Sequence, residues 1–210
     1  MTPEFPEDIQ HRVISTDAID EIERYQILTS LVVPRPIGWV STRGQDGTLN
    51  IAPFSFFAAV SASPMLVSLS IGTRRGVAKD SLQNIHQQGV FCVNVVTEMH
   101  LAAMNKTSAS LPPDQDEFVF ADLPVATANS VEAPYVANCP AVFECQLFKE
   151  VDLGRVNMII GEVIAVRLDP SLPTIGDSSF VDSEALRPVG RLWGPAYTLL
   201  GEVKILKRPE

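Results

Sequence analysis

The sequence lacks the features that mark membrane, secreted and nucleic-acid-binding proteins. No apolar run approaches the roughly 18 residues of a membrane span, and the acidic N-terminal segment has no apolar core of a secretory signal. With 16 Lys and Arg against 25 Asp and Glu, the net charge is -9, which disfavours binding to nucleic acid or to an anionic membrane. We therefore expect a cytoplasmic protein that binds neither.

Cysteine is scarce, since only Cys92, Cys139 and Cys145 are present. The odd number and the missing secretory signal favour reduced thiols that pack in the core. No group of Cys and His has zinc-ligand spacing, so we predict no metal. The glycine-rich dinucleotide loop, the Walker loop and the GxSxG motif of hydrolases are also absent.

The chain has 210 residues, of which 46% are hydrophobic, enough for one domain with a substantial core. Residues 1–18 read as an acidic, Pro-containing arm, and we assign residues 19–210 to one domain. Strand patterns follow one another through tight turns, while helix patterns are few and short. This arrangement predicts an antiparallel barrel rather than a parallel sheet.

Three helices are predicted. The first covers residues 17–32, with Thr16 or Asp17 as its N-cap, and ends before two prolines. The second is KDSLQNIHQQ, which stops at Gly89, and the third is EMHLAAMNKT.

Strands are predicted in most of the remaining chain. Asp46-Gly47 predicts a hairpin between IGWVST and LNIAPF, and the β-branched segment VFCVNVVT is predicted to be a strand. Two long strands, AVFECQLFKEVDL and VNMIIGEVIAVRL, are expected to join near Gly154, and strand character returns in the tail GRLWGPAYTLLGEVKIL.

The first segment with candidate chemistry is PRPIGWVSTRGQDGTLNIAPFSFF, residues 34–57. Hydroxyls and small residues surround its hairpin, and small residues let a flat ring approach the backbone N–H groups. The alternative is a hairpin that binds nothing. The residues concerned are Ser41, Thr42, Asn50, Ala52, Pro53 and Ser55.

The second such segment is SLSIGTRRGVAKDSLQNI, residues 68–85. Its cations and hydroxyls precede or open a helix, and a helix N-terminus with nearby cations can bind phosphate. The alternative is a solvated turn in which Asp80 or Ser81 acts only as a helix cap. The residues concerned are Ser70, Gly72, Thr73, Arg74, Arg75, Lys79 and Ser81.

Six segments in the same order resemble the flavin reductase-like, FMN-binding split-barrel family, in particular its flavoredoxin branch. They are VPRPIGWVST, DGTLNIAPFSFF, KDSLQNI, AMNKTSASLPPDQDEF, GEV at 161–163 and GRLWGPAY. The resemblance covers residues 25–197 and implies a mainly β fold: a six-stranded antiparallel Greek-key split barrel with a few short peripheral helices. It also implies a homodimer with FMN near the subunit interface.

The resemblance further implies which residues contact FMN. Along the isoalloxazine ring it places Asn50, Ala52, Pro53, Phe54 and Ser55. Along the ribityl and phosphate path it places Ser41, Thr42, Ser70 and Gly72, and at the phosphate Arg74, Lys79 and Ser81. The implied chemistry is hydride transfer from NADH or NADPH, in which the flavin carries the redox chemistry and no catalytic side chain is required.

Two positions near the C-terminus bear on access to the ring. The family motif RLGG is RLWG here, so Trp193 either covers the flavin's reactive face or packs against barrel side chains. Arg191 is a candidate for the nicotinamide phosphates or for the dimer interface. The helix opening KDS replaces the usual KDT and keeps a hydroxyl.

Three functions remain open from the sequence. The first is an enzyme that reduces FMN with NADH or NADPH. The second is a non-enzymatic, flavoredoxin-like carrier that holds FMN and receives electrons from a redox protein partner, which Trp193 favours. The third is a split barrel with another ligand or no redox role.

Overall fold

The computed structural model describes residues 9–73, 77–112 and 115–209. The strands are β1 (Arg35–Pro36), β2 (Gly38–Arg43), β3 (Leu49–Phe54), β4 (Phe57–Ala62), β5 (Met65–Gly72), β6 (Val90–Val95), β7 (Val125–Thr127), β8 (Pro134–Val136), β9 (Ala141–Asp152), β10 (Val156–Leu168), β11 (Gly190–Arg191) and β12 (Tyr197–Thr198). The α-helices are α1 (Glu21–Leu31), α2 (Asp80–Gln88), α3 (Leu101–Lys106), α4 (Glu117–Phe120) and α5 (Ser183–Leu186), and 3-10 helices cover Thr16–Ala18 and Glu98–His100.

The main sheet has seven antiparallel strands in the order β3-β2-β6-β9-β10-β5-β4. Its edge strands β3 and β4 are separated in the chain only by Ser55 and Phe56, so the sheet must curl until its edges meet. The Ser70 N–H donates to the Phe56 carbonyl at 2.9 Å and ties this bend to β5. The mainly β antiparallel fold is confirmed. The count is seven rather than six because residues 49–62 bend at 55–56 and form two strands.

The predicted hairpins are confirmed. β2 pairs with β3 from Gly38 opposite Phe54 to Arg43 opposite Leu49, and Gly47 in the connecting turn has φ +91°. β9 and β10 pair along most of their length, and Gly154 in their turn has φ +85°. Both glycines lie in the left-handed region that a side chain disfavours.

Two apolar clusters cover the faces of β2 and β3. Inside the barrel, Val40, Leu69 and Phe91 are fully buried, and Leu82 and Ile85 of α2 pack against them. On the outer face, a second cluster covers the same strands: Ile37, Trp39, Ile51, Val96, Met104, Phe118, Val136 and Val189. These clusters hold α2 on one side of β3 and hold α3 and α4 on the other side.

The three predicted helices form, with a different N-cap for the first, whereas the short helices α4 and α5 were not predicted. α2 ends at Gly89, which has φ +69°, and the Glu98–His100 turn followed by α3 is the third predicted helix. The N-cap of α1 is Asp20, not Thr16 or Asp17. Its carboxylate accepts the Glu23 N–H at 2.8 Å and the Glu23 carboxylate accepts the Asp20 N–H, so a capping box fixes the helix start at this position.

The tail departs from the expected strand. Only β11 and β12 form there, and they pair with β1 in a three-stranded sheet, whereas residues 199–209 have no regular structure. Glu144 on β9 is buried, forms an ion pair of 2.8 Å with Arg167 and accepts the Ser130 N–H. No helix in the described part of the chain is long and apolar enough to cross a membrane.

Candidate functional site

A groove runs along the exposed edge of β3, and we call it the β3 groove. It is a cavity of about 480 Å³ between the start of α2 and the segment that follows α3. Pro53 belongs at such an edge because it has no N–H to give to a neighbouring strand. Ala52 and Pro53 supply its wall, and Ala109 and Leu111 face them from the other side.

The start of α2 forms one end of the β3 groove. Lys79 is the N-cap, and its carbonyl accepts the Leu82 N–H at 2.9 Å, so the N–H groups of Asp80 and Ser81 are the ones without a partner in the helix. The Lys79 ammonium lies in the groove lining, 5.3 Å from the centre of the Phe54 ring. A positive charge beside the N–H groups of a nine-residue helix is an arrangement that binds phosphate.

Behind this end lies a buried network of polar side chains. The Asn50 Oδ1 accepts the hydroxyl protons of Ser81 at 2.7 Å and Thr42 at 3.3 Å. The Asn50 Nδ2 donates to the Glu117 carboxylate at 3.1 Å, and the Asn84 Nδ2 donates to the Thr42 hydroxyl at 3.0 Å. Asn50, Ser81 and Glu117 line the groove, while Thr42 supports it from the neighbouring strand.

Glu117 was not recognised in the sequence. It opens α4 directly after the N-cap Asp116, and burial raises the pKa of its carboxyl above the ordinary value, with the negative charge of Asp80 acting in the same direction. Hydrogen bonds from the backbone N–H of Ile51 and from Asn50 act against that rise. The only available signal was an acidic residue next to an apolar pair, which is equally typical of a helix start.

A smaller cavity of about 220 Å³, the Tyr197 cavity, continues the β3 groove, because Pro53 and Ser108 line both. Its other walls include Ser55 and Arg191, whose guanidinium lies 4.4 Å from the centre of the Tyr197 ring. The Tyr197 hydroxyl donates to the Asn105 Oδ1 at 2.9 Å and fixes the ring.

The buried side chain of Arg35, also missed in the sequence, fixes the surroundings of the Tyr197 cavity. Its guanidinium donates to the carbonyls of Thr29 at 2.6 Å, Val32 at 3.0 Å and Leu192 at 2.7 Å. The C-terminus of α1 and the β11–β12 turn are thereby held against the bend at Ser55.

Several predicted residues lie away from the β3 groove. Ser41 is fully buried on β2, one strand in from the edge, and its hydroxyl donates to the Pro134 carbonyl at 2.6 Å, so it does not line the β3 groove. Phe54 is 5% exposed and packs in the barrel core. Ser70 lines a separate apolar cavity of about 530 Å³, and Gly72 pairs with Val156 at the end of β5.

The remaining predictions are placed as follows. Arg74 and Arg75 lie outside the described residues. Trp193 is 57% exposed in the turn between β11 and β12, so it does not fill the barrel core.

The three cysteines are unreactive thiols, because burial raises the pKa of each. The pKa of Cys139 is raised to about 11 and that of Cys145 to about 12, and the pKa of Cys92 is raised as well, so these thiols stay protonated. Among the described residues, no group of His, Cys, Asp and Glu could hold a metal ion.

Comparison with known sequences finds one family model, described as a flavin reductase-like domain, over residues 30–177. An uncharacterised protein from Aquifex aeolicus is 38% identical over 183 residues, which are 86% of this chain and 92% of that protein. The FMN reductase (NADH) RutF from Bradyrhizobium diazoefficiens is 25% identical over 122 residues, 58% of this chain and 64% of that protein.

Solved structures share the architecture. Nitrilotriacetate monooxygenase component B from Bacillus cereus is 31% identical with a TM-score of 0.90, covering 95% of this chain and 100% of that one. The 2-nitrobenzoate 2-nitroreductase NbaA from Pseudomonas fluorescens is 26% identical with a TM-score of 0.86, covering 94% and 96%. Flavoredoxin from Desulfovibrio vulgaris shares the fold, with a TM-score of 0.72 at 21% identity over 83% and 91%.

Proposed function

This chain belongs to the flavin reductase-like domain family, and we propose that it is an oxidoreductase that binds FMN in the β3 groove and transfers hydride from NADH or NADPH to it. The observation that carries the proposal is the shape and charge of the groove. One end offers Lys79 and the first N–H groups of α2, and the wall toward the Tyr197 cavity is made of small or flat residues.

The residues present fit FMN. Lys79, Ser81 and the start of α2 suit a phosphate, and Ala52 and Pro53 leave room for a flat ring beside the strand edge. We assign the ring to the part of the groove that continues into the Tyr197 cavity, next to Ser55. Asn50 belongs to this site, and Thr42 supports it through Asn50. Arg74 stays a prediction.

FMN, when bound, supplies the hydride-accepting chemistry, and the protein's task is to bind and orient it. The backbone of residues 52–55 is the part of the chain that would face the ring, and Arg191 is positioned to meet an anionic group of the nicotinamide substrate. No acid or base is assigned. The relative RutF carries NADH in its name, which supports a nicotinamide donor here.

A second candidate function is an electron carrier that holds FMN and receives electrons from a protein partner. The observation that favours it is Trp193, a large apolar side chain that is 57% exposed on the turn beside the Tyr197 cavity. An exposed indole there suits contact with a partner protein and limits the approach of a nicotinamide.

We also propose that the protein is a homodimer. α1 buries only Thr29 and exposes Ile22, Tyr25 and Leu28 by half or more. Next to this helix face lies the apolar cavity of about 530 Å³, so a continuous apolar surface is left uncovered. Because Tyr25 also lines the Tyr197 cavity, a second copy on this surface would lie beside the flavin.

The test is the absorption spectrum of the purified protein with FMN, recorded anaerobically before and after NADH and then NADPH. A flavin spectrum that bleaches with either nucleotide supports the oxidoreductase. A bound flavin that neither nucleotide reduces supports the carrier. Absence of flavin binding contradicts both.

A further inference from the structure

Glu117 is a buried carboxyl in the wall of the β3 groove for which the proposed function has no use. It is 7% exposed, and its carboxylate accepts the amide hydrogen of Asn50 at 3.1 Å. Asn50 in turn accepts the hydroxyl proton of Ser81 at 2.7 Å. A chain of two hydrogen bonds therefore connects Glu117 to the residue assigned to the phosphate of FMN.

The charge of Glu117 determines the direction of this chain. An ionised carboxylate only accepts hydrogen bonds, so it takes the NH₂ end of the Asn50 amide. The carbonyl end of Asn50 then faces Ser81, whose single hydroxyl proton is directed inward to it. In this state the Ser81 hydroxyl offers only lone pairs to the groove, and phosphate oxygens are acceptors as well. With Glu117 ionised, the Ser81 hydroxyl cannot donate to a phosphate.

We propose that a proton on Glu117 reverses this chain and makes Ser81 a donor to the phosphate of the ligand. The protonated carboxyl donates to the Asn50 carbonyl, and the two hydrogens of the turned Asn50 amide donate to the oxygens of Ser81 and Thr42. The Ser81 proton is released toward the groove, and the Thr42 proton is accepted by the Asn84 carbonyl once the Asn84 amide turns as well. The proton comes from solvent and returns to it when the ligand leaves. Glu117 is thus a positioning residue for the phosphate site, an inference that rests on the proposed function.

The groups around Glu117 favour proton uptake when an anion binds. Asp80, the first residue of α2, faces Glu117, and the N-cap Lys79 lies at the same end of the groove. Asp46 and Glu117 both line a neighbouring polar cavity, and Asp116, the N-cap of α4, directly precedes Glu117. Burial and the charge of Asp80 already raise the pKa of Glu117, while the Ile51 N–H and Asn50 hold it down. A phosphate near Ser81 adds negative charge, which shifts this balance further toward the protonated form.

The experiment measures the Kd of FMN by fluorescence titration from about pH 5.5 to about pH 8.5, a window above the ordinary Glu pKa. Wild type is compared with Glu117→Gln, whose amide donates or accepts at every pH. The phosphate of FMN ionises in both proteins, so only the difference between the two profiles reports Glu117. One charge-assisted hydrogen bond corresponds to about a tenfold change or more, so wild type should lose about tenfold in affinity relative to Glu117→Gln across the window.

Two further variants separate the coupling from a structural effect. Ser81→Ala removes the donor, so it should bind FMN weakly at low pH and show no loss attributable to Glu117 as the pH rises. Glu132→Gln neutralises an exposed carboxylate in the β7–β8 loop and should keep the wild-type profile. Riboflavin, which has no phosphate, should bind with the same pH profile to wild type and Glu117→Gln.

FMN binding with superimposable profiles for wild type and Glu117→Gln would overturn the coupling and leave the proposed function intact. A profile difference that riboflavin also shows would overturn it too, because the phosphate would not be involved. If wild type fails to bind FMN at every pH, the proposed function and the coupling fall together.

Discussion

Replacing Lys79 by Met tests where the phosphate of FMN lies. The substitution removes the ammonium charge but keeps an apolar stem of similar length, so contact with the Phe54 ring can persist. A hydrogen bond to a charged group contributes about 1.5–3 kcal/mol, which corresponds to about a ten- to hundredfold change in Kd. Lys79 is exposed, and water screens its charge, so we expect the lower end, about tenfold.

The assay is a fluorescence titration of Lys79→Met with FMN and with riboflavin. Riboflavin lacks the phosphate, so its affinity should stay within about twofold of wild type while that of FMN falls. Lys149→Met, an exposed lysine on β9, is the matched control and should change neither. Equal losses for both flavins, or no loss for FMN, would refute the phosphate assignment.

Three further predictions concern access, packing and assembly. Trp193→Gly should speed flavin reduction by NADH or NADPH in stopped-flow traces with little change in FMN affinity; equal rates would rule out gating. Gly161→Ala should lower the free energy of unfolding by about 1–3 kcal/mol, because its Cβ would lie 2.5 Å from the buried Phe91 ring. Gly72→Ala, with 3.9 Å to its nearest neighbour, should be close to neutral by chemical denaturation. Light scattering should report a dimer, and a flavin-loaded monomer would contradict the proposed interface.

Local signals explain what the sequence predicts well. The Asp46-Gly47 turn, the β9–β10 turn at Gly154 and the end of α2 at Gly89 each depend on a residue that adopts positive φ. These signals act within a few residues, so no knowledge of the rest of the chain is needed. The polar residues at the start of α2 lie at one end of the β3 groove, and their role as a phosphate site stays a prediction.

The sequence is less informative where tertiary contacts decide which residues come together. Ser41 and Thr42 are adjacent on β2, but the strand order places both behind β3, so neither lines the groove. Glu117 bonds to Asn50, which lies 67 positions earlier in the sequence, and no local sequence pattern predicts that contact. The tail alternates in hydrophobicity as a strand does, yet residues 199–209 find no strand to pair with among the described residues.

A crystal structure of the protein with FMN tests the account most directly, because its central claim is that the β3 groove holds the flavin. We expect the phosphate within hydrogen-bond distance of Lys79 and the first N–H groups of α2, and the ring beside Pro53 and Ser55. Flavin density in the apolar cavity next to α1, or at any position away from β3, would contradict the account.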